Sequence, residues 1–241
     1  MLIALESAAI GHGLAASVPP LTMTVTDGAP TVLAVETAER PMLVSLLLGG
    51  RIRPDAGRVT IDGRDGLDEL RTRTALVDTP VVAEPTAGLS LASIVAEEFA
   101  FAGHPSSRRE VRHYLKRLDL FDYAAVAVRS LPPLHRTRLL SELALLRPGV
   151  DALIVTSPER HGGDPAVWYD TLAEIAARGV AIVIVTDAAT RGILLSCGAR
   201  DALAPLPAEP ARALEALESP KSLESLEPSE PLEPLEPETQ S

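Results

Sequence analysis

Two short runs constrain this chain most. Ala152–Val155 and Val180–Thr186 are apolar at nearly every position and rich in Val and Ile. A strand with one wet face alternates apolar and polar residues, whereas a run without alternation has to be covered on both faces. Helix-like stretches flank them, Arg136–Leu146 before the first and Val167–Ala177 between the two, with Pro148 breaking the former. Helix, strand, helix, strand in that order predicts an α/β fold whose parallel core sheet is flanked by helices.

The upstream half fits the same plan. Val32–Glu36 is a short β-branched run, and Pro41–Leu48 is an apolar helix candidate stopped by Gly49-Gly50. Arg58–Ile61 reads as a strand running into an Asp62-Gly63 turn, and Thr74–Val77 as another strand. Ser90 to about Arg129 is helix-rich, with Arg108–Leu118 amphipathic. No internal repeat is visible.

A chain of 241 residues, 46% hydrophobic, fills one core with a small lobe attached. Only 3% is aromatic, so that core is built from Leu, Val, Ile and Ala. The net charge of -11 is uneven: from Glu209 onward nine Glu face only Arg212 and Lys221, which gives -7 and leaves -4 for the body. That balance argues against nucleic-acid binding. Cys197 is the only cysteine, which suits a reducing compartment. Met1–Ala9 lacks a basic region, and the runs Met42–Leu48 and Val180–Val185 fall well short of the ~20 residues that span a bilayer. The expectation is a cytoplasmic protein, peripheral on the inner face of a membrane only through a partner. Residues 206–241 read as an acidic Pro/Glu/Leu-rich disordered tail, a solubilising extension.

Four segments carry a family resemblance. Leu46–Gly63, LLLGGRIRPDAGRVTIDG, resembles the stretch after the phosphate loop of ABC transporter ATP-binding subunits. Leu131–Pro158 is similar to the signature loop, its helix and the Walker B strand. Gly162–Pro165 resembles the loop after that strand, and Ala181–Asp187 the strand that ends in the switch histidine. Order and spacing agree over about Leu2 to Pro205. The resemblance implies a P-loop NTPase-like core, an N-terminal antiparallel β portion, and a helical subdomain at about 89–130 within a domain of residues 1–205. In that family the helical subdomain and the loop before it receive a coupling helix from a membrane permease.

The residues that should do chemistry depart from the pattern. A P-loop needs glycines to close backbone N–H groups around phosphates, a Lys to neutralise them and a hydroxyl for Mg²⁺. The corresponding stretch, Val35–Leu43, is VETAERPML, with Pro41 in the Lys position and Met42 in the hydroxyl position. The only lysines in the chain, Lys116 and Lys221, do not follow glycine, so no such loop exists elsewhere. Glu36 and Glu39 precede the helix. Either one of them occupies the anion site at the helix N-terminus and repels a triphosphate, or both are exposed loop acids.

The Walker B carboxylates become Thr156 and Ser157, which supply neither metal charge nor a base. The signature loop becomes Leu131-Pro132-Pro133-Leu134-His135, and the switch histidine becomes Asp187. The metal-sensing glutamine corresponds to Thr79 or Asp78, and the adenine-stacking aromatic to His12. Asp164 matches the aspartate that in the family packs across a dimer interface, or else it is a turn former before Pro165. The five histidines lack metal-ligand spacing, Ser141 and Ser157 lack a nucleophile elbow, and Arg108, Arg109 and Arg112 read as a solvated helix face.

The expectation is a pseudo-ATPase: no catalytic residue, no resident metal or cofactor, and a structural or regulatory role beside a membrane permease or an intact ABC ATPase, with a homodimer as a further arrangement. Two alternatives stand against it. One is an ABC ATPase that binds ATP and Mg²⁺ in an altered way. The other is a soluble scaffold unrelated to transport.

Overall fold

The computed structural model describes residues 1–35 and 40–203. Glu36, Glu39 and the acidic tail therefore lie outside the described residues.

The first half of the chain builds an antiparallel sheet. β1 (Leu2–Ile10) pairs with β2 (Val18–Thr26) on one side and β4 (Ala56–Ile61) on the other, and β5 (Arg64–Asp65) closes the far edge. β2 carries Pro19-Pro20, which a central strand would not tolerate, and it lies at the edge. Between β2 and β4 the chain leaves for β3 (Thr31–Ala34) and α1 (Arg40–Leu48). The strand expected at Val32–Glu36 thus begins one residue earlier and ends at Ala34, with Val35 already outside it.

The second sheet has five parallel strands in the order β6-β7-β8-β3-β9. They are β6 (Thr74–Val77), β7 (Ala152–Thr156), β8 (Ala181–Thr186), β3 and β9 (Arg200–Asp201). Every residue of β6, β7 and β8 is buried, as runs without alternation require. On one face Leu33, Leu76, Ile154 and Val183 pack with α1 residues Val44, Leu47 and Leu48 and with the first sheet. On the other, Val32, Leu153, Ile182 and Ile184 pack against Trp168, Leu172 and Ile175 of α6 (Pro165–Ala176) and Leu194 of α7 (Ala188–Ser196).

A third apolar cluster joins α3 (Leu91–Phe101), α4 (Arg108–Arg117) and single 3-10 turns at Phe121–Tyr123 and Val128–Ser130 to the inner face of α5 (Pro133–Ala144). A short α2 (Leu67–Arg73) leads into β6. Ser90 and Ser107 cap α3 and α4 by accepting from Ser93 N and Glu110 N. α5 starts three residues before the expected Arg136 because Pro133 suits the first turn, where its missing N–H costs nothing. It ends at Ala144, ahead of Pro148, and α6 likewise starts at Pro165 rather than Val167.

The first sheet depends on one close backbone approach. Gly57 has φ of +71°, and a methyl there would collide with the carbonyl oxygens of Glu6 and Ser7, where β1 bulges. Gly63 has φ of +75° but open space around it. In urea unfolding, Gly57→Ala should cost well over about 2 kcal/mol, and Gly63→Ala, strained by its φ alone, about 1–2 kcal/mol.

Candidate functional site

In a parallel sheet, ligands gather at the carboxyl ends of the strands. Val35 after β3, Asp78 and Thr79 after β6, Thr156 and Ser157 at the end of β7, and Asp187 after β8 all lie at that edge, with Pro41 and Met42 at the start of α1. An open cleft there is lined by Met42, Pro80, Ser157, Glu159, Arg160 and Asp187, among others. The fold therefore brings together most of the residues singled out from sequence.

Beneath the cleft, three buried hydroxyls form a closed chain. Ser45 Oγ lies 2.8 Å from Thr156 Oγ1, and Thr79 Oγ1 lies 2.7 Å from the same atom. Ser45 also donates to the Pro41 carbonyl at 2.8 Å. A hydroxyl has one proton, so the direction is fixed: Thr79 donates to Thr156, Thr156 to Ser45, and Ser45 to Pro41 O. Ser45 was not a sequence candidate; it sits one helical turn beyond Met42 and supplies the hydroxyl that Met42 lacks.

Mg²⁺ needs near-octahedral oxygen ligands, usually including carboxylate. These residues do not fit it. The three oxygens are neutral, fully buried, and already bonded to one another.

The cleft wall carries two carboxylates, Glu159 and Asp187. Glu159, one residue beyond Pro158, accepts from Thr186 Oγ1 at 2.7 Å. Burial pushes its carboxyl above the usual range and nearby Asp187 adds to this, while the Thr186 bond acts the other way. Asp187 caps α7, accepting from Thr190 N at 2.7 Å. Among the described residues the one cation lining the cleft, Arg160, turns away: its Nη2 donates to Asp78 O at 2.7 Å and Asp78 Oδ1 at 2.9 Å. Arg40, at the start of α1, donates from Nε to Ser17 O at 2.8 Å. Glu159 and Arg160 carry no family motif, and their one signal in the sequence is a Pro-Glu-Arg shortly after a buried strand.

Asp78 organises a second, buried network. It sits at φ of +54°, just past β6. Arg136 Nε and Nη2 each lie 2.6 Å from its two oxygens, a bidentate pair. Burial would raise this carboxyl, but hydrogen bonds from Arg136 and then His161, with their charges, hold it well below the usual range. His161 Nε2 is 2.9 Å from Asp78 Oδ2 and 3.0 Å from Arg160 Nε. One nitrogen cannot donate to the first and accept from the second at once, so only one of the two contacts is a hydrogen bond at a time. Asp78, Glu84 and His161 bring three possible metal-ligand atoms within 4.8 Å of one another. Arg160 and Arg136 also reach Glu84, at 3.4 and 3.9 Å, so a dication would meet two guanidinium groups there. The cluster is an ion network.

The remaining candidates lie apart from the chemistry. Asp164 is exposed and caps α6 by accepting from Ala166 N at 3.0 Å. His12 is exposed and stacks on no described ring. Leu134 and His135, expected in a loop, are already inside α5.

No protein-family model matches the sequence, and no curated protein does. Solved structures do match by shape. A nucleotide-free ATP-binding cassette from an ABC transporter superposes with a TM-score of 0.60 at 14% identity, over 81% of this chain and 84% of its own. An ATP-binding subunit of an ABC transporter gives 0.55 at 17% identity, over 78% and 80%. CbiO1 from Clostridium perfringens, part of the ABC transporter complex CbiONQ, gives 0.55 at 18% identity, over 77% and 78%. At these identities the likeness is one of fold.

The two carboxylates predict opposite pH behaviour. Asp78 is depressed in the fold, so its stabilisation is full above the unfolded value of about 3.9 and is lost on acidification. Asp78→Asn should cost about 3–5 kcal/mol near pH 7, measured by denaturant unfolding, and only somewhat less near pH 3, where the unfolded carboxyl has taken up its proton and the folded one has not. Glu159 is raised, so ionising it costs stability as pH climbs past about 4.3. Glu159→Gln, which keeps an acceptor for Thr186, should raise the melting temperature at pH 8 and leave it nearly unchanged at about pH 4.

Proposed function

We propose that this chain, which has the fold of an ATP-binding cassette, serves as a non-hydrolysing subunit beside a membrane permease. The observation that carries this reading is the hydroxyl chain: where Mg²⁺ would sit, Thr79, Thr156 and Ser45 satisfy one another and offer no charge. The absence of lysine from the whole phosphate-loop stretch, and the carboxylates of Glu159 and Asp187 on the cleft wall, act in the same direction. Each lost charge contact removes on the order of 1.5–3 kcal/mol of phosphate binding.

Docking, by contrast, has a surface. A groove of about 340 Å³ runs between the end of β6 and helices α3 and α5, and Val82, Ile94, Phe101, Leu140 and Leu143 line it. Val81, Val82 and Phe101 stand exposed at 93%, 48% and 71%. Val81 holds a φ of +66°, which a β-branched residue adopts only under constraint. The groove sets Glu97, Glu98 and Arg147 beside these apolar residues, and such a mixed lining with exposed apolar flanks suits an amphipathic helix laid across it. CbiO1, which shares the fold, is part of a transporter complex.

Two measurements test the reading. Titration calorimetry with Mg-ATP should give no heat of binding at millimolar nucleotide, and micromolar affinity would overturn this reading of the site; steady release of phosphate from Mg-ATP would overturn the non-hydrolysing assignment. A mild-detergent pull-down from native cells should recover a multi-spanning membrane protein with the wild-type chain. Phe101→Glu with Val82→Glu should cut that recovery at least about tenfold. Recovery of soluble proteins alone would remove the transport role.

A further inference from the structure

The opposite side of α3 carries a second groove with different chemistry. Ile94 and Phe101 face the groove described above, while Ala92 and Ala96 face a cleft of about 390 Å³ between α3, α4 and the turn at Phe121–Tyr123. Ala92, Ala96, Val111, Leu115, Phe121 and Ala124 supply its apolar surface. Arg108 and Arg112 stand on its rim.

That rim belongs to the most basic segment of the described chain. α4 holds Arg108, Arg109, Arg112, Lys116 and Arg117 against a single carboxylate, Glu110, in a protein of net charge -11. All five cations are exposed, and none makes an ion pair among the described residues. Instead, Arg112 and Lys116 lie over the Phe121 ring at 5.0 and 5.4 Å from its centroid, and Arg117 over Tyr114 at 4.9 Å. An apolar trough with a cationic edge is complementary to a ligand that carries apolar side chains on one edge and anions on the next. A bilayer surface presents its charge as a plane, which this narrow trough does not match.

We propose that the α3–α4 groove binds an extended acidic peptide bearing leucines, of the chemistry found in this chain at residues 223–237. That sequence repeats in steps of three: Leu223, Leu226, Leu232 and Leu235; Glu224, Glu227, Glu230, Glu233 and Glu236; Pro228, Pro231, Pro234 and Pro237. In any peptide extended at three residues per turn, such a repeat puts leucines along one edge and glutamates along another. The leucines match the trough and the glutamates match Arg108, Arg112 and Lys116.

The test titrates a fluorescent peptide of residues 223–237 into the full chain carrying Glu→Gln at 224, 227, 230, 233 and 236, which removes the receptor's own copy of the acidic repeat. Saturable binding with a micromolar Kd is expected, weakening as salt rises from about 50 to about 500 mM. Arg112→Glu with Lys116→Glu should weaken it at least about tenfold, and a peptide with its glutamates changed to Lys should restore binding to that variant. A peptide with Leu232→Ser and Leu235→Ser should also lose at least about tenfold. No binding, or equal binding by the leucine-poor peptide, overturns the proposal. So does sedimentation with phosphatidylglycerol vesicles through the same arginines without peptide binding.

Discussion

The bidentate pair between Asp78 and Arg136 is the contact on which the arrangement around the sheet edge depends. Asp78 ends a core strand, and Arg136 belongs to the helix that backs the helical lobe. The same guanidinium reaches Val128 O in the turn before α5, and Arg160 brings in the segment after β7. Four chain segments thus share one buried carboxylate. Buried charge is tolerated only when paired and hydrogen-bonded, so each member fixes the positions of the others. Arg160 is drawn into this network and away from the cleft, which leaves Glu159 and Asp187 to set the sign of the cleft wall.

The sheet edge shows how far fold and chemistry can separate. Backbone geometry at the carboxyl ends depends on parallel pairing and on buried Val, Ile and Leu, none of which needs a catalytic side chain. Several residues at this edge solve local structural problems. Pro41 lies in the first turn of α1, Thr156 hydrogen-bonds Ser45, and Asp187 caps α7. Once such positions serve hydroxyl chains and caps, restoring a single charged residue would leave a buried donor or acceptor without its partner.

Legibility followed periodicity. β7 and β8 were readable because uninterrupted apolar runs admit one environment, and α4 because its charged face repeats at helical spacing. β1 and β2 gave no individual strand signal: the bulge around Ser7 breaks alternation, and Pro19-Pro20 reads as a break until β2 is seen to lie at an edge. Pro132-Pro133 reads as a loop in sequence and hides the true start of α5, although the second proline is a good first helical residue. Thr79 and Asp78, adjacent in sequence, take separate roles in the fold: a hydroxyl bonded to Thr156 and a carboxylate in the ion network.

By itself, the sequence determined that no lysine-bearing phosphate loop exists anywhere in the chain, and that two strands had to be buried on both faces. Composition and local periodicity settle such questions because they concern which groups exist and how often they recur. Only the tertiary structure decided that Ser45 reaches Thr156 across 111 positions, that Arg136 rather than a ligand neutralises Asp78, and that Glu159 faces the cleft. Those outcomes depend on which strand ends the parallel sheet aligns, and hydrogen bonds a few ångströms long between residues distant in sequence leave no local pattern to read.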